Sequence, residues 1–566
     1  MLKLTEEITT TPESKPKKRY SLILFYVLGW ICAAGIAIAK IHFANPQIAD
    51  DAYITLRYSY NLLHHGVFTY NFPSPQPTAA ETSPLYGLLL TPLLHWFDPV
   101  RTFKIVMVAS VASAAVLLYE LVKREWGVVT GMLAALILLL NDYLYATLGM
   151  ETSLFIFACL ATILLLHSVA QDLIITHRKQ RAFKALIAGI VFAIAVFIRG
   201  EAAILLLFPA IELFLGIGRN YRQAKKAEWL RLQDPYAFIE PSPKLIRSTF
   251  ETLGKPLKTS FAFIFGAALI SLPMAVFLET QTGRFIPGTL LAKEAQARSG
   301  FWGRGWIYYT GLQNFIKTYP WRYEIYALAI LGVLGLLVTA FSRTHWKTRP
   351  LTLTAIGFAL LQLIAYGNIF VVPFYHWYFG PQIIAVCALS GIAVGAALIR
   401  FRNRTHARLL AIPALALMVY FIYSSVTLIE PPGLAPKQAA YMDAAAWLKT
   451  HTADNATVAA SEIGYIGYYS QRQMVDYVGL LNQQAANWVK NGNLFYWIYF
   501  DKPDYWIVHN PPWSLEEATK LPWFLTSYAP AATYGNLIIY RKVAPVPSLP
   551  ASQQVFAQLS EVPWKS

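Results

Sequence analysis

Along most of the chain, long apolar runs alternate with short clusters of lysine and arginine. A polar start, MLKLTEEITTTPESKPKKRY, gives way to SLILFYVLGWICAAGIAIAK. That run is long enough to cross the hydrocarbon core of a bilayer, which takes about 20 apolar residues as a helix. Further runs follow at 103–122, 127–145, 151–170, 183–199, 201–217, 258–278, 325–342, 351–369, 377–399 and 409–428. With the first they predict about eleven spans. Pro84–Phe97 is apolar but short, and Pro92 interrupts it. It is either a short span or a segment lying along the membrane surface. After residue 430 the pattern changes: Lys437–Thr450 alternates as an amphipathic helix, and TVAAS, QMVDYVG, DYWIVHN and NLIIYRK read as short strands.

The basic clusters decide the orientation, because cytoplasmic loops carry the excess of Lys and Arg. If Pro84–Phe97 does not cross, then Lys15–Arg19, Lys123–Arg124, His177–Arg181, the stretch 219–258, Arg343–Arg349 and Arg400–Arg408 share one side. If it crosses, they are split. The first arrangement is the consistent one. It predicts a cytoplasmic N-terminal tail (1–19), a transmembrane domain (20–428) with an outer loop at 42–102, and a soluble α/β domain outside (429–566). A cleavable signal peptide is the weaker reading, since the apolar run exceeds an ordinary h-region and no clean small-residue cleavage site follows it.

Composition supports a lipid solvent. Of 566 residues, 56% are hydrophobic and 14% are charged, against about 25% charged in soluble domains. The net charge of +16 sits in the topology-setting clusters and not on a face interleaved with aromatics, so nucleic acid is not expected as a partner. Cys32, Cys159 and Cys387 each lie inside an apolar run with no Cys or His at ligand spacing, which argues against a disulfide framework or a zinc site.

The chemistry-bearing residues gather on the predicted outer side. Asp50 and Asp51 follow the first span directly. Adjacent carboxylates at a membrane boundary repel each other and are costly to desolvate, so one holds its proton more tightly or the two share a cation. Such a carboxylate can take the proton from an attacking hydroxyl. Glu151 opens a span, where a helix N-terminus also favours an acid. Arg199 and Glu201 flank Gly200 between two short spans and could pair across the turn; alternatively Arg199 grips a phosphate with its planar fork. Lys293 shares a loop with Arg284, Arg298 and Arg304, either as a solvated surface or as a cationic lid. His376-Trp377-Tyr378 suits an interfacial aromatic belt, with His376 a further candidate donor to phosphate.

The string DDAYITLRYSYNLLHHGVFTYNF followed by AAETSPLYGLLLTPL resembles the first outer loop of GT-C type glycosyltransferases, polytopic enzymes that use polyprenyl-phosphate sugars. The nearest likeness is to the bacterial arabinofuranosyltransferase-like subgroup. The matching positions are Asp50–Asp51, Arg57–Tyr58, Glu81 and Thr82–Leu85, with Glu81-Thr82-Ser83 where many relatives have Glu-Gly-Tyr-Thr. Gly149-Met150-Glu151-Thr152 resembles the family's Gly-Leu-Glu-Thr. Arg199-Gly200-Glu201 and Pro287-Gly288-Thr289 through Lys293 are similar to two further loops. Ser461 through Tyr469 and Val475 through Leu480 resemble a tail pattern in which Glu462 replaces an Asp and Asp476 is retained.

The resemblance implies a helical GT-C fold and an inverting transfer from a polyprenyl-phosphate sugar to an outer glycan, lipid or cell-wall acceptor. Asp50 is the first choice as general base and Asp51 the second. Arg199, Lys293 and His376 would meet the donor phosphate. Arg57, Tyr58, Glu81, Glu151, Glu201, Glu462 and Asp476 would meet sugar or acceptor. A divalent cation (Mg, Mn or Ca) on Asp50 and Asp51 is compatible with this scheme, since hard cations prefer oxygen ligands, but the sequence does not require one. Two other classes compete. A transporter or flippase would place ionisable groups near mid-bilayer and show an inverted repeat, and neither is evident. A non-catalytic scaffold leaves the outward clustering unexplained. The resemblance places the chain in the bacterial inner membrane. A cysteine introduced after the first span should therefore react with an impermeant maleimide on intact cells. Labelling only after lysis would reverse the orientation.

Overall fold

The computed structural model describes residues 17–44, 46–73, 81–174, 181–212, 214–215, 244–283, 289–319, 322–342, 349–401, 405–427 and 436–549. Among them, eight helices are long and apolar enough to cross a membrane: Leu22–Ala44, Pro99–Trp126, Thr152–Leu173, Arg181–Ile198, Leu257–Thr282, Tyr323–Ala340, Pro350–Ile369 and Gly380–Ile399. Two shorter apolar helices, Val128–Leu140 and Ile412–Val426, complete the bundle. The run expected at 201–217 begins as a 3-10 helix, Gly200–Leu206, and lies partly outside the described residues, as does most of the basic stretch 219–258. Exposed Leu22, Ile23, Leu24, Phe25, Phe261, Ile264 and Phe265 are apolar where a soluble protein would be polar, which is what a lipid solvent asks of an outer helix face.

Local chemistry sets the boundaries. Asp98 caps the Pro99–Trp126 helix by accepting from the Arg101 amide at 3.0 Å, with Pro99 in the first turn. At 28 residues this helix is about 42 Å long. Pro84–Trp96, by contrast, has 13 residues and is about 20 Å long, too short to cross alone. It packs on the Asp50–His65 helix, where Ser59 Oγ donates to the Gly87 carbonyl at 2.8 Å. At the mouth of the bundle Lys40 pairs with Asp142 and donates to the Ser425 carbonyl at 2.7 Å. Glu324 accepts the Asp142 amide at 3.1 Å. These contacts join four helices, with one ion pair, Lys40–Asp142, at their centre.

The tail carries a five-stranded mixed sheet in the order β2-β1-β3-β5-β4, from β1 (Thr457–Ala460), β2 (Gln473–Asp476), β3 (Tyr505–His509), β4 (Tyr528–Tyr534) and β5 (Leu537–Lys542). β1 runs parallel to β2 and β3; β5 is antiparallel to β3 and β4. The aromatic rings of Tyr477, Trp497, Trp506 and Phe524 fill one side.

The tail meets the bundle through the short helix Gly464–Ser470, which lies on Asp50–His65. Asp50 accepts the Gly464 and Tyr465 amides, both at 2.8 Å, at one end. Arg57 donates to the Gly467 and Arg472 carbonyls, both at 2.6 Å, at the other. An acid at the N-terminus and a base at the C-terminus satisfy the groups a helix leaves unpaired. Contact is close enough that a Cβ on Gly464 would run into the Asp50 backbone and one on Gly467 into the Tyr70 hydroxyl. Arg57→Met would strand two carbonyls, at about 1–3 kcal/mol each. It should lower the melting temperature and speed amide exchange across 464–470; unchanged exchange there would show that this joint is dispensable.

Candidate active site

Two adjoining cavities sit where the tail meets the bundle. The larger has a volume of about 440 Å³ and is bounded by Asp50, Asp51, His376, Trp377, Lys437 and Glu462, among others. The smaller, about 40 Å³, is walled by Asp51, Glu81, Glu151, Arg199, Lys293 and Tyr378, among others. Asp51 and Trp377 line both. Residues more than two hundred positions apart in sequence therefore meet in one place.

The two aspartates have different surroundings. Each oxygen of Asp50 already accepts a backbone amide. Burial, then Glu462 and Asp51, still raise its pKa to about 7 against the pull of those amides. Asp51 makes no hydrogen bond among the described residues, and it faces both cavities. Burial raises its pKa as well, opposed by Lys293 and reinforced by Glu462 and Asp476. With Asp50 engaged, the pair does not present two free carboxylates to a shared ion. Among the described residues no group of three or more His, Cys, Asp or Glu side chains is arranged to hold a metal.

Glu81 is buried. One of its oxygens accepts the Ser83 amide at 2.8 Å, and the other has no hydrogen-bond partner among the described residues. Burial, with help from Glu151 and Asp51, lifts its pKa to about 8, so at neutral pH it carries a proton. Arg199 is not free. It donates to Glu151 at 2.7 Å and Glu201 at 2.6 Å and lies over the Tyr378 ring at 4.7 Å. A phosphate would have to compete with two carboxylates for it. Lys293, on the Thr289–Ser299 helix, sits 3.9 Å from the Tyr375 ring centre. Burial works against its charge, yet Tyr375, Tyr378 and Asp51 outweigh this and hold its pKa above the ordinary lysine value. His376 lines the larger cavity, but burial lowers its pKa to about 4. Neutral at pH 7, with Nε2 3.3 Å from the Ala146 carbonyl, it offers a hydrogen bond and no charge.

Other residues expected at the site serve elsewhere. Arg57 and Tyr58 are buried behind Asp50 and line neither cavity; Arg57 spends its guanidinium on the tail, with Tyr70 beneath it at 4.5 Å. Asp476 shapes the turn after β2 by accepting the Val478 and Leu481 amides at 2.9 and 2.8 Å. Glu462 reaches the larger cavity and pairs with Lys437 at 2.8 Å. The residues that sequence reading missed are Lys437, Gln438 and Tyr441, which the Pro436–His451 helix brings to that cavity, and Tyr375. The amphipathic character of 437–450 was the available signal. Arg284, Pro287 and Gly288 lie outside the described residues.

Comparisons with known proteins agree with this architecture. A family profile described as dolichyl-phosphate-mannose-protein mannosyltransferase matches residues 86–243. A second, a domain of unknown function (DUF8728), matches residues 432–555. No curated protein matches the chain by sequence. Among solved structures the chain is similar to the oligosaccharyltransferase AglB of Archaeoglobus fulgidus in complex with an inhibitory peptide and a dolichol-phosphate. That match has 14% identity and a TM-score of 0.50, and covers 94% of this chain and 75% of the other. The same organism's enzyme with Zn and sulfate gives 15% identity and a TM-score of 0.49, covering 89% and 71%. ArnT from Cupriavidus metallidurans bound to undecaprenyl phosphate gives 11% identity and a TM-score of 0.48, covering 93% and 98%. The first of these shares its fold with the chain: a multi-pass helical bundle with a C-terminal sheet domain.

Glu81 allows a direct test of the site's electrostatics. Its folded pKa of about 8 lies above its ordinary value of 4.5. Its contribution to stability is therefore complete below pH 4.5 and is lost as pH rises through 8. Glu81→Gln removes that titration. Between pH 7 and 9 the wild-type melting temperature should fall relative to the variant. Parallel curves would mean that Glu81 is already ionised.

Proposed function

We propose that the chain is a membrane glycosyltransferase that moves a sugar from a polyprenyl-phosphate carrier to a glycan, lipid or cell-wall acceptor on the outer face of the bacterial inner membrane. The observation that carries this reading is the convergence of Asp51, Glu81, Glu151, Arg199 and Lys293 on one small chamber that adjoins a larger polar-aromatic cavity beneath the tail. The GT-C fold supports it, and so does the mannosyltransferase profile over 86–243. The dolichol-phosphate in the AglB structure suggests the carrier class. An arabinofuranose donor rests on motif resemblance alone.

In this reading Asp51, and not Asp50, is the general base. Asp51 has no competing hydrogen bond among the described residues, and burial, by raising its pKa, makes its ionised form a stronger proton acceptor. The acceptor hydroxyl attacks the anomeric carbon as Asp51 takes its proton. The bond from that carbon to the phosphate oxygen breaks, and the polyprenyl phosphate leaves with the electron pair, so the configuration inverts. Lys293 meets the charge growing on the phosphate. Arg199, braced by Glu151 and Glu201, shapes the chamber wall. Protonated Glu81 donates to a sugar hydroxyl, and neutral His376, whose N–H is spent on the Ala146 carbonyl, accepts from a sugar hydroxyl through Nδ1. No step runs through a metal ion.

Transfer from synthetic polyprenyl-phosphate sugars, read by mass spectrometry, tests the assignment. Asp51→Asn should lose about 100-fold or more in rate. Asp50→Asn should lose less and should loosen the tail. Full activity in Asp51→Asn would remove the proposed base.

A further inference from the structure

The Pro436–His451 helix turns Tyr441 toward the larger cavity. Behind it lies a buried polar chain that the proposed chemistry does not use. The Tyr441 hydroxyl is 2.8 Å from His509 Nε2, and His509 Nδ1 is 2.7 Å from Glu516 Oε1. His509 ends β3, and the following turn folds back so that Glu516 Oε2 also accepts the His509 and Trp513 amides at 3.0 and 2.8 Å. Trp513 stacks on the imidazole with ring centres 3.5 Å apart. Glu516 is 0% and His509 3% exposed. Burying an acid and an imidazole is costly unless every group is satisfied, and here the partners fix the hydrogen-bond polarity. A carboxylate only accepts, so Nδ1 carries the ring proton. In the neutral ring Nε2 is bare, and Tyr441 donates to it in preference to Glu462, which also neighbours its hydroxyl but is already paired with Lys437. The tyrosine oxygen therefore keeps its lone pairs for the cavity.

On the same side of the cavity Glu462, paired with Lys437, is a second acceptor. The tail thus brings the Tyr441 hydroxyl and the Lys437–Glu462 pair to a cavity that the aromatic rings of Tyr375 and Trp377 also line. A pyranose or furanose ring has the complementary chemistry: hydroxyl donors on its rim and C–H faces that pack on aromatic rings. The cavity's volume of about 440 Å³ falls within the range of small-molecule sites, roughly 300–1,000 Å³.

Resting on the transferase reading, we propose that Tyr441 is a specificity-determining contact for a hydroxyl of the acceptor saccharide. Glu516 and His509 are positioning residues that act through it by fixing which way its hydroxyl proton points. Glu516→Gln can place an amide N–H against Nδ1. The ring proton then moves to Nε2, and the polarity of Tyr441 reverses.

The test uses the full chain in nanodiscs. A polyprenyl-phosphate pentose serves as donor and a panel of methyl pentosides and hexosides as acceptors. Tyr441→Phe should raise the acceptor KM about five- to tenfold, as expected for one neutral hydrogen bond, with kcat within about twofold. Glu516→Gln should do the same, and in the Tyr441→Phe background it should add nothing further. Equilibrium binding of the same glycosides to protein loaded with polyprenyl phosphate, without turnover, should weaken by the same factor. An unchanged KM and binding constant in Tyr441→Phe overturns the proposal. So does a Glu516→Gln effect that persists in full without the Tyr441 hydroxyl, or wild-type protein that binds none of the glycosides. Transfer retained by Asp51→Asn would instead strike at the catalytic reading, and glycoside binding would still report on Tyr441.

Discussion

The site exists because a short tail helix is gripped at both ends by one loop helix. Asp50 takes the amides of Gly464 and Tyr465, and Arg57 fills the carbonyls of Gly467 and Arg472. Both grips are buried, and neither tolerates a missing partner, because an unsatisfied polar group away from water is expensive. The grip brings Glu462, Lys437 and Tyr441 over a cavity whose floor belongs to the bundle. Without it the aspartates would open into solvent, and their pKa values would relax toward the ordinary carboxylate range.

Around Asp51 the charges are arranged to be nearly, but not fully, spent. Arg199 is spent between two carboxylates, Glu151 and Glu201. Glu81 avoids adding charge by keeping its proton at neutral pH, and His376 avoids it by losing its own. What remains facing the cavities is an acid with no hydrogen-bond partner among the described residues, Asp51, and a cation held over an aromatic ring, Lys293. A general base and a phosphate-neutralising cation are the two groups that a displacement at a sugar-phosphate carbon needs.

Much of this was legible in the sequence, and the reasons differ by level. The spans could be read because lipid demands long apolar runs. The short Pro84–Trp96 helix followed from its length and Pro92. The α/β character of the tail followed from its alternating strands. The residues that line the smaller cavity were singled out by different signals: Asp51, Glu151 and Arg199 at span boundaries, Lys293 in an outer loop, and Glu81 by the resemblance of its turn to a known family. Their division of labour was not legible. Nothing in Asp50-Asp51 says which carboxylate will meet the amides of residues more than four hundred positions later. Arg57 and Asp476 read as site residues because the resemblance carried them, and a motif does not tell a residue that holds the fold from one that holds a ligand. Arg199 read as either a partner of Glu201 across the turn or a phosphate clamp, because its second partner, Glu151, lies on another segment. Lys437, Tyr441 and His509 escaped notice because only tertiary docking gives them a cavity to face.

The proposed transfer requires a carrier phosphate beside Lys293 within reach of Asp51. The most direct measurement is an experimental structure of the full chain with polyprenyl phosphate bound. The phosphate should lie within hydrogen-bond distance of Lys293 Nζ, with its chain leaving between the transmembrane helices. Phosphate density at the opposite end of the bundle, or a chamber closed by Asp51 and Lys293 paired to each other alone, would contradict it.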